Sequence, residues 1–325
     1  MHAGVSAQTV SRVANGQTNV RPATRDRVLA SMQALGYRPN SAARNLKSGR
    51  FRSIGVVSFN LETLGNERTL DAIAVAAAAA GYTTMLLPVA DPTELEVAGA
   101  FGRLEEQAVD GIILIMSAEL GSPDELKLTA GLPLVIVDSD ATPPYTVVDT
   151  DQEQGARLAV EHLFELGHRD ILHVAGPEKS FSARRRRAGY LRTMEAAGLP
   201  TRPVLFGNWT ASSGRALGEA IVAQAEPPTA VFAANDQMAL GLLNAFHRHG
   251  WQVPEFISVV GFDDADDAAA YWPSLTTVHQ RFDEVGRRAT TELIAMIDGE
   301  TDEHTTSLIP TSLVVRESSG PARRG

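Results

Sequence analysis

Cysteine is missing from all 325 residues, which removes disulfide frames and thiolate metal sites. No stretch reaches the roughly 18 unbroken apolar residues that a membrane helix needs. The run Val75–Ala80 is short and alanine-rich and reads as a buried helix. The first 25 residues hold no apolar core of the signal-peptide kind. A soluble cytoplasmic protein without membrane contact is the expectation. Catalytic signatures are missing as well: there is no G-x-x-x-x-G-K, no G-x-S-x-G and no H-E-x-x-H. His168-Arg169-Asp170 imitates a kinase catalytic loop, but the Gly-rich phosphate loop, the Asp-Phe-Gly and the following Asn are absent. Asp264, Asp266 and Asp267 lack the Gly and distal Glu of a calcium loop and read as a solvated loop. The expectation is therefore no enzyme, no catalytic residue, no metal and no cofactor.

What is present begins with charge. Hydrophobic residues make up 44% of the chain, enough for one or two real cores and a small appendage. The net charge of −10 argues against nucleic acid when taken whole. Residues 1–52, however, carry nine Lys/Arg against one acid, Asp26, a local net of +8 that leaves −18 on the rest. A basic head on an acidic body is the footprint of a nucleic-acid module joined to something that avoids phosphate. Arg184–Arg187 is no such footprint, because helical residues step by about 100° and cannot form one patch.

The head is helical in pattern. Ser6 can cap a helix over Ala7–Ala14, stopped by Asn15-Gly16. Pro22 opens a second helix, in which Val28, Leu29, Met32 and Leu35 form one apolar stripe ended by Gly36. Pro39-Asn40 breaks the chain, Ser41–Lys47 can form a short third helix, and Ser48-Gly49 starts a linker. From Ser53 onward short apolar runs alternate with helical stretches. Examples are Ile54–Ser58, Gly111–Met116, Leu134–Asp138, Ile171–Ala175, Val204–Phe206, Ala230–Ala233 and Ile257–Phe262. Continuous rather than alternating runs suit parallel strands buried on both faces, and the alternation of β with α specifies doubly wound sheets in two lobes. Asp138, Asn235, Asp236 and Asp263 directly follow such runs, where open α/β sheets bind ligands. Of these, Asp236 reads as a helix cap. Trp209 follows Val204–Phe206 and can stack on a pyranose face, or serve the core.

The head reads GVSAQTVSRVANG and RPATRDRVLASMQALGYRPNSAARNLKSG. The body carries SIGVV, VDGIIL, GARLAVEHLFELGHRDILHVAGP, FAAND and SVVGFDDADDAAAYWPSLTTVHQ. These segments, spread over nearly the whole chain, resemble the lactose-repressor (LacI/GalR-type) family of bacterial transcription regulators. The body is closest in pattern to the lactose repressor. The resemblance implies a small all-α helix-turn-helix head over 1–39, a hinge helix and linker over 40–52, and a two-lobed α/β periplasmic-binding-protein-like body over 53–325. Lobe one is expected over about 53–150 and 281–306, lobe two over about 151–280 and 307–318. Only Met1, His2 and Ala3 precede Gly4-Val5-Ser6. The first helix of the family's motif is therefore expected to be absent, through a start codon assigned late or a shortened form.

By the same match, Ala7, Gln8 and Arg12 read bases, with Gln8 suited to adenine and Arg12 to guanine. Ser6, Thr9, Ser11, Asn15 and Thr24 fit phosphate contacts. In the hinge, Asn40, Ala43 and Leu46 meet the minor groove, with Leu46 as the intercalating wedge. Asp138, Ser182, Arg186, Trp209, Asn235, Asp263 and Gln280 fall where the lactose repressor holds galactosides. The implied function is a homodimeric, sequence-specific repressor released from operator DNA by a small sugar. Two alternatives stay open. One is a periplasmic-type sugar binder that does not bind DNA as this truncated chain. The other is a nucleobase-sensing corepressor relative, which Trp209 with Asp138 and Gln280 disfavours.

Overall fold

The computed structural model describes residues 2–14, 19–37, 49–59, 63–89, 93–116, 131–139, 145–301 and 303–323. The chain divides into two compact units, Met1–Phe51 and Arg52–Gly325.

In the first unit, α1 spans Ala7–Ala14 and α2 spans Pro22–Ala34. The Thr9 N–H donates to Ser6 Oγ at 3.2 Å, the capping bond that a serine before a helix can make. Ala3, Val13 and Val28 form a small buried core, joined by Val5, Val10, Val20 and Met32. The apolar stripe expected on α2 is only partly used: Leu29 is 49% exposed and Leu35 63%. Val28 and Met32 lie four apart on one face, Leu29 sits about 100° round the helix from Val28, and Leu35 lies beyond the last turn. The expected hinge helix, with Asn40, Ala43 and Leu46, lies outside the described residues, as does Asn15.

The second unit holds two sheets. The first contains β1 (Ser53–Ser58), β2 (Thr83–Pro88), β3 (Gly111–Ile115), β4 (Leu134–Val137), β5 (Thr146–Thr150) and β11 (Thr306–Ile309), in the order β11-β5-β4-β3-β1-β2. The second contains β6 (Ile171–Ala175), β7 (Leu205–Phe206), β8 (Ala230–Ala233), β9 (Ser258–Asp263), β10 (Thr276–His279) and β12 (Ser312–Val314), in the order β12-β10-β9-β8-β6-β7. All the pairings are parallel except β10 with β12. Strands β3, β5, β6, β8 and β9 are buried along their whole length, and all of them but β5 are accordingly mostly apolar in sequence.

Helices α3 (Leu64–Ala79), α4 (Glu94–Glu106) and α9 (Phe282–Asp298) accompany the first sheet. Helices α5 (Gln152–Glu165), α6 (Phe181–Ala196), α7 (Ala211–Val222) and α8 (Asp236–Arg248) accompany the second. The chain passes between sheets after β5, after β10 and after β11. Residues 307–309, expected in the second lobe, belong to the first, since Thr306–Ile309 pairs with Val147–Thr150. The third crossing therefore falls at Pro310-Thr311.

The Val75–Ala80 run also differs from expectation. It ends α3, but only Ala77 is buried and Val75 is 63% exposed. One face of α3 packs on the sheet through Ile73 and Ala77, and the opposite apolar face lies open. Among the described residues, no helix is long and apolar enough to cross a membrane.

Candidate functional site

Between the two sheets lies a narrow cleft whose water-accessible space is about 80 Å³ in this arrangement of the lobes. The carboxyl ends of β4, β5, β9 and β10 open onto it, together with the first turns of α3, α5, α6 and α8. This is where open α/β sheets place ligands. Asp138, Ser182, Arg186, Trp209, Asn235, Asp263 and Gln280 all line this one cleft. Asn66, Asp149 and Gln152 line it too and had not been singled out.

Three of the lining residues hold backbone conformations that side chains disfavour. Asp138 has φ 55°, Trp209 φ 71° and Asp263 φ 120°. Strain of this kind costs about 1–3 kcal/mol per residue and persists only where the surroundings impose it. Here it turns each side chain off the end of its strand toward the cleft. The Trp209 carbonyl accepts from Asn235 Nδ2 at 3.0 Å, which fixes the turn. The Trp209 ring lies against Gly176, where an added Cβ would fall 2.3 Å from the indole.

Arg186 is buried near the base of the cleft, with its guanidinium over the Phe262 ring at 3.9 Å and over Trp209 at 5.5 Å. Its Nε donates to Gln152 Oε1 at 2.7 Å, and Nη1 donates to the Ala234 carbonyl and to Asp263 Oδ1, the latter at 3.5 Å. Gln280 Nε2 donates to Asp263 Oδ1 at 2.6 Å, and Gln152 Nε2 donates to Gln280 Oε1 at 3.3 Å. Arg186, Gln152, Gln280 and Asp263 thus form a closed ring of buried polar groups, each satisfied by the next.

Burial pushes the Asp263 carboxyl up to about 6, against the pull of Arg186 and the Gln280 hydrogen bond. The same desolvation lowers Arg186, with Asp263 holding it up. Asn235, not Asp236, caps α8: its Oδ1 accepts from the Met238 N–H at 3.0 Å. Asp236 is the first helical residue. It is fully buried and accepts from the Ala265 N–H at 2.8 Å and from the Thr277 hydroxyl. Burial and then the neighbouring Asp263 raise it to about 8. His168 is a buried tie to Thr229, Ser258 and the Gly320 carbonyl, in keeping with a structural loop.

In the first unit, Ala7, Gln8, Ser11 and Arg12 share one exposed face of α1, while Val10 and Val13 face the core. Ser6 is exposed, and Thr9 and Thr24 are half-buried. Ser6 Oγ lies 3.0 Å from Thr9 Oγ1, so both hydroxyls sit at the amino end of α1, where backbone N–H groups favour a phosphate.

Comparison with known proteins gives a consistent result. Residues 1–40 match the model for bacterial regulatory proteins of the lacI family, and residues 160–319 match a periplasmic binding protein-like domain. The lactose operon repressor of Escherichia coli (strain K12) is 36% identical over 98% of this chain and 88% of its own. A crystal structure of the lac repressor dimer bound to operator and the anti-inducer ONPF superposes with TM-score 0.90 at 34% identity, covering 98% of this chain and 97% of that one. The HTH-type transcriptional repressor PurR of Pasteurella multocida (strain Pm70) is 35% identical over 97% of this chain and 96% of its own. A complex of the transcriptional regulator CelR with cellobiose gives TM-score 0.75 at 34% identity, covering 98% of this chain and 97% of that one.

Proposed function

The chain belongs to the lacI family of bacterial regulatory proteins, and on that premise we propose that it is a cytoplasmic, homodimeric repressor whose grip on operator DNA is set by a small sugar. The observation that carries the DNA half is the solvent-facing set Ala7, Gln8, Ser11 and Arg12 on a capped helix of a basic unit. Recognition helices present their amino-terminal residues to base edges in this way. Ala7, Gln8 and Arg12 are the readers. Ser6, Thr9, Ser11, Asn15 and Thr24 hold phosphates, and Asn40, Ala43 and Leu46 act at the minor groove. Catalysis has no part in this function, and the only small molecule it needs is the effector.

The effector half rests on the cleft. Trp209 offers an aromatic face, and Asp138, Ser182, Arg186, Asn235, Asp263 and Gln280 offer hydrogen-bonding groups in a buried setting. The lac and CelR relatives point to a sugar there. The open apolar face of α3 around Val75 supports a second copy as partner.

The test is DNA binding by the purified chain to sites selected from random duplexes, with and without lactose and cellobiose. A sugar that weakens operator binding must itself bind more weakly to the DNA complex, by the same factor. Arg12→Ala should cost about 1–3 kcal/mol and relax base preference at one position per half-site. Equal loss on selected and random DNA would assign Arg12 to phosphate. A sugar that tightens operator binding would reverse the sense of the switch.

A further inference from the structure

We propose that Asp149 takes a hydrogen-bond donor from the effector, and that this makes the cleft accept uncharged, hydroxyl-bearing ligands and refuse anionic ones such as sugar phosphates and sugar acids. The inference rests on the cleft being the effector site.

Asp149 is the fourth residue of β5 and lines the cleft wall formed by the first sheet. It is 3% exposed. Its Oδ1 accepts from the Thr150 N–H at 2.7 Å, while Oδ2 is buried without a hydrogen bond of normal geometry, the Gln152 side chain standing near enough to the carboxylate to lower its pKa. A buried carboxylate oxygen left in this state is costly, and native structures nearly always satisfy such groups. Ser58 Oγ, Thr146 Oγ1 and His173 Nε2 are also without partners, but none of these residues lines the cleft. Asp149, by contrast, belongs to the cleft lining. Burial lifts it to about 6, with Arg185, the Thr150 N–H and Gln152 pulling it down. At pH 7.5 it is therefore chiefly the anion, an acceptor on both oxygens and a donor on neither.

Charge counting gives the second half. Among the described lining residues stand the carboxylates of Asp138, Asp149 and Asp263 and one guanidinium, Arg186. Arg186 is already engaged by Gln152, the Ala234 carbonyl and Asp263. Arg185, whose charge reaches Asp149, donates to the Ser139 carbonyl at 3.2 Å and is not among the lining residues. An entering phosphate would meet three carboxylates in the described lining and a single guanidinium, which already faces Asp263. A hydroxyl would meet an acceptor without a hydrogen bond of normal geometry.

The experiment is calorimetric titration of the intact protein at pH 7.5 with lactose, cellobiose and their 6-phosphates, for wild type and Asp149→Asn. Hydrogen bonds to charged groups contribute about 1.5–3 kcal/mol, so the variant should bind the neutral sugar roughly 10- to 100-fold more weakly. Wild type should bind no sugar phosphate. The melting temperature of the ligand-free variant should be unchanged or higher, because a buried anion has been removed, whereas a purely structural role would lower it. Equal neutral-sugar binding by wild type and variant would overturn the role of Asp149 and leave the effector site standing. Tight binding of a 6-phosphate would overturn the selectivity and likewise leave the site. If none of the four sugars bound wild type, the sugar reading of the cleft would fail, and the proposal with it.

Discussion

Replacing Phe181 by alanine should open the body without unfolding either lobe. Phe181 begins α6, a helix of the second sheet, yet its ring is 4% exposed and belongs to the core of the first lobe, with Val57, Phe101, Met116 and Val147. Leu64 makes the reciprocal contact, from the start of α3 onto the core that holds Val174, Val231 and Leu242. Two polar links run beside them: Arg68 pairs with Asp266 at 2.6 Å, and Arg185 reaches the Ser139 carbonyl. The ion pair adds little, because Asp266 is almost fully exposed. The aromatic plug dominates. Truncating a buried phenylalanine costs about 3–5 kcal/mol, transfer and cavity together. The socket belongs to the other lobe, so most of this cost falls on the balance between closed and open arrangements. At 1.4 kcal/mol per factor of ten, the balance moves toward open by about a hundredfold to a few thousandfold. Sugar affinity falls in step with the closed population. Small-angle scattering should show a larger radius of gyration for the ligand-free variant, and titration should show the weaker sugar binding. An unchanged radius together with unchanged sugar affinity would refute the argument. A large fall in melting temperature with no change in scattering would place the cost on folding instead.

Two other substitutions probe the cleft and the buried charges. Gly176→Ala puts a methyl 2.3 Å from the Trp209 ring, an overpacking that costs about 1–3 kcal/mol. It should shift tryptophan emission and weaken sugar binding while operator affinity without sugar stays the same; unaltered sugar binding would remove Trp209 from the site. Asp236 has its pKa raised to about 8 from an ordinary 3.8, through burial and the nearby Asp263 and Asp264 and against the Thr277 and Ala265 hydrogen bonds. Its contribution to stability is complete below pH 4 and is lost as pH rises through 8. Asp236→Asn keeps an acceptor for the Ala265 N–H and removes the titration, so the variant should gain on wild type in melting temperature between pH 5 and pH 8.5. A constant difference across that range would show that Asp236 is ionised throughout.

The strands that could be read from sequence are those with both faces buried, such as Gly111–Ile115 and Ala230–Ala233, because burial leaves them no polar positions. Thr146–Thr150 is equally buried but contains threonines and Asp149, so it does not stand out as an apolar run. Asp149 and Gln152 were missed along with it, since nothing marked them as following a strand. Thr306–Ile309 is a sheet-edge strand with two exposed residues, and its assignment to the wrong lobe follows from that weak pattern. Asn235 and Asp236 are both capping residue types. Only the extended backbone of Asn235, with φ −152° and ψ 166°, decides which one caps. The cleft-lining set was legible because resemblance supplied positions that composition could not. Val75–Ala80 misled because an alanine-rich helix has the same sequence whether its second face meets protein or water.

The ring of Arg186, Gln152, Gln280 and Asp263 links ligand chemistry to lobe movement. Gln152 stands at the crossing after β5 and Gln280 at the crossing after β10, and the bond between them ties those two crossings together. The third crossing is held by Gln154, whose Oε1 accepts from both the N–H and the hydroxyl of Thr311 at 2.7 Å. The segments that must bend when the lobes move are thus fastened by side chains of the first turn of α5. All four members of the ring also line the cleft. A ligand hydroxyl that bonds to Asp263 Oδ1 competes for the oxygen that already serves Gln280 and Arg186. Its binding energy is therefore exchanged against bonds that set the geometry of the crossings. A ligand contacting only Trp209 and Asp138 would fill the cleft and leave the crossings alone, so occupancy and switching are separable properties of this site.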